Sequence, residues 1–275
     1  MWSELVRFWR LLVSVSDLAA NANLGLISAG VAFFGMFAIF PAMAALIALF
    51  GLVADPSVVE GMLQLLSDII PPQAFGLFEG QLTRLLKAGS DTLGLATLIS
   101  IGVALWSTRA GVGALMSGIN AVSGQPDRGG LRHAFVALMM TVSLIFVAIV
   151  ALLLVVGAPI VISLLPPEAQ PGWILEAVRW LVVLLVLLSA LGLLYRYGPN
   201  RPEVRIGFFS PGAVLVVVFW FAASAGFSIY LTNFGRYNEV YGSIGAVVAM
   251  LMWLYISAYL ILLGAALNVV LLGRR

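Results

Sequence analysis

The chain has 275 residues, of which 62% are hydrophobic and only 9% charged. Its mean hydropathy is +1.10. That composition cannot clothe a water-facing surface, because a soluble domain carries about a quarter charged residues. An ordinary cytosolic enzyme, a disordered chain and a coiled coil are excluded. The absence of cysteine removes disulfides, thiolate nucleophiles, Cys-ligated zinc and Fe–S clusters. The formal net charge is only +2, so what matters is where the charges stand.

From the N-terminus, Ser3, Arg7, Arg10, Ser14 and Asp17 form a polar stripe at helical spacing, with Trp2, Leu5, Val6, Trp9, Leu12 and Val13 off it. Residues 1–17 therefore read as an interfacial helix on a membrane surface. Glu4 and Asp17 interrupt the segment, which argues against a cleaved signal peptide. Charge-free stretches follow at 18–54, 92–108, 110–126, 134–167, 180–195, 206–235 and 240–273. A membrane helix needs roughly 20 apolar residues. The stretches predict six spans, at about 24–53, 93–115, 135–164, 177–196, 209–232 and 242–271. Ten-residue alternation is lacking, which disfavours a β-barrel. The expected fold is all-α and polytopic, one membrane domain over 1–275 with amphipathic surface helices.

The first charge-free stretch would be about 55 Å long as one helix, against a hydrocarbon core of roughly 30 Å. Pro41 lies in its middle and predicts a kink or hinge; a tilt or a pre-membrane segment at 18–23 is the alternative. Residues 55–91 then form a sizeable loop. Ser57, Glu60, Gln64, Ser67 and Asp68 oppose Val59, Met62, Leu66, Ile69 and Ile70. Pro71-Pro72 breaks the pattern, and Phe75, Phe78, Leu82 and Leu85 oppose Glu79, Gln81, Arg84 and Lys87. This predicts an amphipathic helical hairpin on the outer surface, either a connector or a lid.

In the second span, Trp106, Arg109, Gly113, Met116 and Asn120 share one helical face. An arginine near membrane depth is costly and is paired or hydrated. Two readings stand: a side chain snorkelling to the cytoplasmic interface, or a contact for an anionic head group or an internal ion pair, with Trp106, Arg109 and Asn120 lining one groove. His133, the lone histidine, opens the third span as an interfacial residue. Ala222–Gly226 in the fifth span and Gly242, Gly245, Ala246 and Ala249 in the sixth predict a close helix pair. Asn233, Arg236, Tyr237, Asn238, Glu239 and Tyr241 between them form an outer clasp, structural or substrate-contacting. Asn268 is expected to satisfy a neighbour's backbone.

Loop charges set the orientation. With the N-terminus inside, ten of fourteen basic residues face the cytoplasm: Arg7, Arg10, Arg109, Arg128, Arg132, Arg196, Arg201, Arg205, Arg274 and Arg275. Eight of twelve acids fall outside. Both termini are thus expected in the cytoplasm.

Stretches along the chain resemble the YihY/BrkB family of bacterial inner-membrane proteins, once mislabelled ribonuclease BN. They are SAGVAFFGMFAIFP at 28–41, LWSTRAGVGALMSGIN at 105–120, YRYGPNRPEV at 195–204, SPGAVLVVVFW at 210–220, NFGRYNEVYGSIGAV at 233–247 and WLYISAYLILLGAALN at 253–268. The resemblance implies a six-helix inner-membrane protein, with lipid or envelope transport suggested for some members. It departs at Ala266, where the family usually has glutamate, and this weakens any proton-relay scheme.

The reading favoured by the sequence is a transporter or flippase for a lipid or other anionic amphipathic envelope molecule. The alternative is a non-transporting scaffold or assembly partner. An enzyme is not expected, since an intramembrane nucleophile and base are missing. Membrane lipids are the expected partners; nucleic acid, metal and cofactor are not. A three-plus-three repeat, which would favour transport, is not found.

Overall fold

The computed structural model describes residues 2–53, 90–163, 172–200, 206–233 and 237–273. Seven helices account for nearly all of them: α1 (Trp2–Asn21), α2 (Leu24–Val53), α3 (Ser90–Val122), α4 (Gly130–Ser163), α5 (Gly172–Tyr197), α6 (Pro211–Asn233) and α7 (Tyr237–Leu272). No strand occurs among the described residues. Among the described residues, four stretches are long and apolar enough to cross a membrane: Gly130–Val150, Trp180–Tyr197, Pro211–Tyr230 and Val247–Leu272. A fifth is reached if α1 and the start of α2 count as one broken span. The predicted hairpin at 55–91 lies outside the described residues except for its last two, which begin α3.

The helix ends follow from local chemistry. Ser210 is the N-cap of α6: its Oγ accepts the Ala213 N–H at 3.2 Å, and Pro211 takes the first helical position, where its missing N–H costs nothing. At the end of α3, Gly124 adopts φ +62°. Gly124 N–H then reaches the Ala121 carbonyl and Gln125 N–H the Asn120 carbonyl, a Schellman closure. Between α1 and α2 the left-handed residue is Asn23, φ +52°, a conformation that asparagine tolerates better than most residues. The two helix axes differ there by 61°.

That bend, at 22–23, is the break in the long N-terminal apolar run. The α2 backbone continues as helix through Pro41; the Pro41 side chain lies outside the described ones. Beyond the bend, α1 turns Val15 and Ala19 into the core and leaves Trp2, Leu5, Phe8, Trp9 and Leu12 exposed. An apolar face of this kind, with its Glu4–Arg7 pair out in solvent, suits a helix lying at a membrane surface.

Consecutive helices pack on one another from α2 to α7, and α7 packs back on α2. The contacts therefore close a ring, with α3 also touching α7 across it and α1 braced on α7 and α2. Because neighbours run antiparallel, one end of the ring gathers the starts of α2, α4 and α6 and the finishes of α3, α5 and α7. Nearly all burial is here. In α3 to α7 the buried hydrophobic side chains fall at 112–122, 137–140, 191–195, 213–217 and 258–267. In the other half, none of the described side chains at 101–110, 142–150, 180–190, 218–230 and 247–257 is buried. Among the described residues, the bundle has a packed end and an open end.

Small residues at the packed end let backbones meet. A Cβ on Gly264 would stand 2.7 Å from the Gly212 carbonyl oxygen and 2.6 Å from Tyr195 Oη. This is the close approach of α6 and α7, and it corrects the expectation that placed it at Ala222–Gly226. A Cβ at Gly226 would meet none of the described residues within 4 Å. In the open half α6 and α7 are joined instead by rings: Trp220–Trp253 and Phe227–Trp253, each with centroids 5.4 Å apart, and a Trp220 Nε1–H···Ser257 Oγ bond of 3.1 Å.

Candidate functional site

Two polar knots seal the packed end. In the first, Asn268 on α7 accepts the Gly212 N–H at 2.8 Å and donates to Ser210 Oγ at 3.0 Å. Gly212 is at the second helical position of α6, so Asn268 satisfies a donor that no helix can satisfy for itself. This is the role expected of Asn268. Tyr195 Oη–H donates to the Ile261 carbonyl at 2.6 Å, tying α5 to α7.

The second knot fastens the α3–α4 loop to the chain after α5. Asp127 folds back along α3 and accepts from Ser117 Oγ at 2.7 Å and Asn120 Nδ2 at 2.8 Å. Asn120 Oδ1 in turn accepts the Asn200 N–H at 2.7 Å. Arg128 donates to the carbonyls of Gly198 and Pro199, each at 2.7 Å, and of Tyr197 at 3.4 Å. These are carbonyls at and just past the C-terminus of α5, where a cation is favoured by the helix dipole. Burial pushes the Arg128 guanidinium below its ordinary pKa, Arg132 adds to the shift and Asp127 opposes it; arginine stays cationic regardless.

The geometry separates residues that the sequence placed in one groove. Met116 and Asn120 are fully buried, so their face of α3 looks into the bundle. Asn120 is consumed by the second knot. Arg109 lies on the same face eleven residues earlier, about 16 Å along the helix, just beyond the last buried layer. Its guanidinium stacks over the Trp106 ring, 4.2 Å from the centroid, and Trp106 is 68% exposed. A cation over an indole face gains about 0.5–2 kcal/mol. Arg109 has no ion pair or hydrogen bond among the described residues, and its Nε is buried without a partner.

His133 completes the neighbourhood. Because Asp127 brings the loop back up α3, α4 starts beside Gly113. A Cβ on Gly113 would stand 3.2 Å from His133 Nε2. His133 Nδ1 is also buried without a partner. Among the described residues these two nitrogens, Arg109 Nε and His133 Nδ1, are the buried side-chain polar atoms left unbonded.

An apolar cleft of about 240 Å³ opens between α4 and α5, lined by Phe146, Val147, Val150, Val182, Leu185 and Val186 with Ser189 as its polar group. Arg109 is not among its walls. The predicted clasp residues Asn233, Arg236, Tyr237, Asn238, Glu239 and Tyr241 fall outside the described side chains. The backbone nonetheless shows α6 ending at Asn233 and α7 starting at Tyr237, so much of that segment is helix, not turn.

Sequence reasoning missed Asp127, Ser117, Asn200 and Arg128. Only the polar, Gly- and Pro-containing run at 123–130 marked that loop. Nothing in the sequence tied it to a segment some 70 residues later. Gly212 carried a clearer signal, as it follows the N-cap and Pro211 directly.

The family described as Virulence factor BrkB matches residues 16–275. The chain belongs to that family. The Bacillus subtilis (strain 168) protein YfkH, named as ribonuclease-like, is 29% identical over 257 residues, covering 90% of each chain. UPF0761 membrane proteins of Xanthomonas oryzae pv. oryzae (strain PXO99A) and Xanthomonas axonopodis pv. citri (strain 306) are each 36% identical over 95 residues, 34% of this chain and 22% of theirs. The match thus spans about a fifth of the length of those Xanthomonas proteins. No solved structure matches the chain. The family and its apolar helices make this BrkB-family chain a membrane protein.

Proposed function

We propose that this BrkB-family protein is a six-span inner-membrane transporter or flippase for a lipid or another anionic amphipathic envelope molecule. In this reading its packed end and both termini are cytoplasmic, as the loop charges favour. The observation that carries it is Arg109: a cation without an acidic partner among the described residues, on the inward face of α3, at the boundary between the packed and open ends. An intramembrane charge in such a place marks a pathway or ligand contact more often than a packing element. The Asp127–Asn120–Asn200 knot acts as the closed inner gate. A protein that moves an intact lipid needs no nucleophile.

Proteoliposomes holding fluorescent phosphatidylglycerol test this, with dithionite quenching to report transbilayer movement. Wild type is expected to accelerate movement, and Arg109→Ala to slow it about tenfold, the loss of roughly 1.4 kcal/mol of charge-assisted contact. Wild-type vesicles no faster than empty ones would discard transport and favour the scaffold reading.

A further inference from the structure

We infer that the seam between α3 and α4 is a binding site for a phosphate group, with Arg109 and His133 as its two donors. The inference rests on the reading of Arg109 as a ligand contact, and it adds both the chemistry of the ligand and a second residue.

Three observations carry it. First, a buried side-chain nitrogen without a partner is rare, because leaving one unbonded costs more than a made bond returns. Here the two described instances, Arg109 Nε and His133 Nδ1, belong to the same seam. Their clustering calls for a shared acceptor. Second, the register brings them together. Gly113 is one turn from Arg109 on the same face of α3, and His133 Nε2 sits against it at 3.2 Å from a Cβ position. Side chains one turn apart have Cβ atoms about 5–6 Å from each other, so Arg109 and the imidazole seated against Gly113 flank adjacent turns of one seam. Third, the acceptor must be anionic. The guanidinium is a fixed cation, and no described carboxylate pairs with it.

Phosphate meets these demands better than carboxylate. It offers more acceptor oxygens, and a guanidinium fork matches phosphate bidentately. The Trp106 ring holds the guanidinium from one side, leaving its remaining edge to the ligand. His133 serves in its Nδ1–H tautomer, donating from Nδ1 while Nε2 rests against Gly113. A phosphate here has two sources, a phospholipid head group or free inorganic phosphate.

His133 is the single histidine of the chain, so histidine labelled with ¹⁵N reports this site alone. The full-length protein, in phosphate-free maltoside micelles, is titrated with dihexanoyl phosphatidic acid, with inorganic phosphate and with dihexanoylglycerol. A ¹⁵N shift of His133 with phosphatidic acid but not inorganic phosphate establishes a lipid head-group site. A shift with both establishes a free-phosphate site. No shift with either, or an equal shift with the uncharged dihexanoylglycerol, overturns the proposal. Arg109→Ala is expected to weaken the response about tenfold. Should that variant fail to fold, Arg109→Lys keeps the charge, loses the fork and is expected to give an intermediate affinity; full affinity in either variant overturns the role of Arg109. Binding is read without any movement of lipid. A protein that binds phosphate yet moves no lipid keeps this site and loses the transport reading.

Discussion

Over the described residues, the two ends of the bundle are built from nearly the same apolar alphabet, yet one is closed and the other open. At the packed end, glycines bring backbones together and side-chain amides answer the unsatisfied groups of helix termini. In the open half, large side chains dominate and rings bridge α6 to α7 without bringing the ring of helices to closure. Within a membrane apolarity alone holds no helices together, since lipid is as apolar as leucine. Close packing and buried hydrogen bonds make the difference, and both are concentrated where Gly212, Gly264, Asn268 and Asp127 stand.

The contrast can be broken from its strongest point downwards. Gly264→Val is expected to have the largest effect. Its side chain would enter space held by Tyr195 Oη and the Gly212 carbonyl, and overpacking of this kind costs about 3 kcal/mol. Thermal unfolding in detergent should show the loss, or the variant should fail to accumulate as a folded species. Asn268→Ala comes next. It strands the buried Gly212 N–H, and Ser210 loses a donor, for about 2 kcal/mol, read from the same melt.

Asp127→Ala frees Ser117 and Asn120 and loosens the α3–α4 loop. Because Asp127 is exposed, about 1 kcal/mol is expected, with the clearest sign in faster amide hydrogen exchange over 117–130. Phe146→Ala in the open half should change stability least. Phe146 is 65% exposed, and substitutions away from packed features stay within about 0.5 kcal/mol. A melt for Phe146→Ala as low as that for Asn268→Ala would erase the distinction between the ends.

Much of the helical layout was legible. The charge-free runs located α2 and α4 to α7 to within a few residues at most ends, since burying backbone in lipid demands continuous helices. The amphipathic α1 was equally readable, being local. Asn268 was read correctly because an amide this deep must find a partner. The small-residue stripe at 222–226 misled, for small side chains permit close approach without enforcing it. The groove joining Arg109 to Asn120 misled for a related reason. A shared helical face sets direction, but whether two residues on it meet one space depends on where the neighbouring helices close.

By itself the sequence determined a helical membrane protein of the BrkB kind, its helices and the stand-out status of Arg109. These follow from local rules: periodicity, capping and the cost of charge in hydrocarbon. Only the tertiary structure decided that the core gathers at one end, that Asn120 is spent on Asp127 and Asn200, and that His133 arrives beside the turn above Arg109. Those outcomes depend on contacts between residues up to 80 positions apart, which no local pattern encodes.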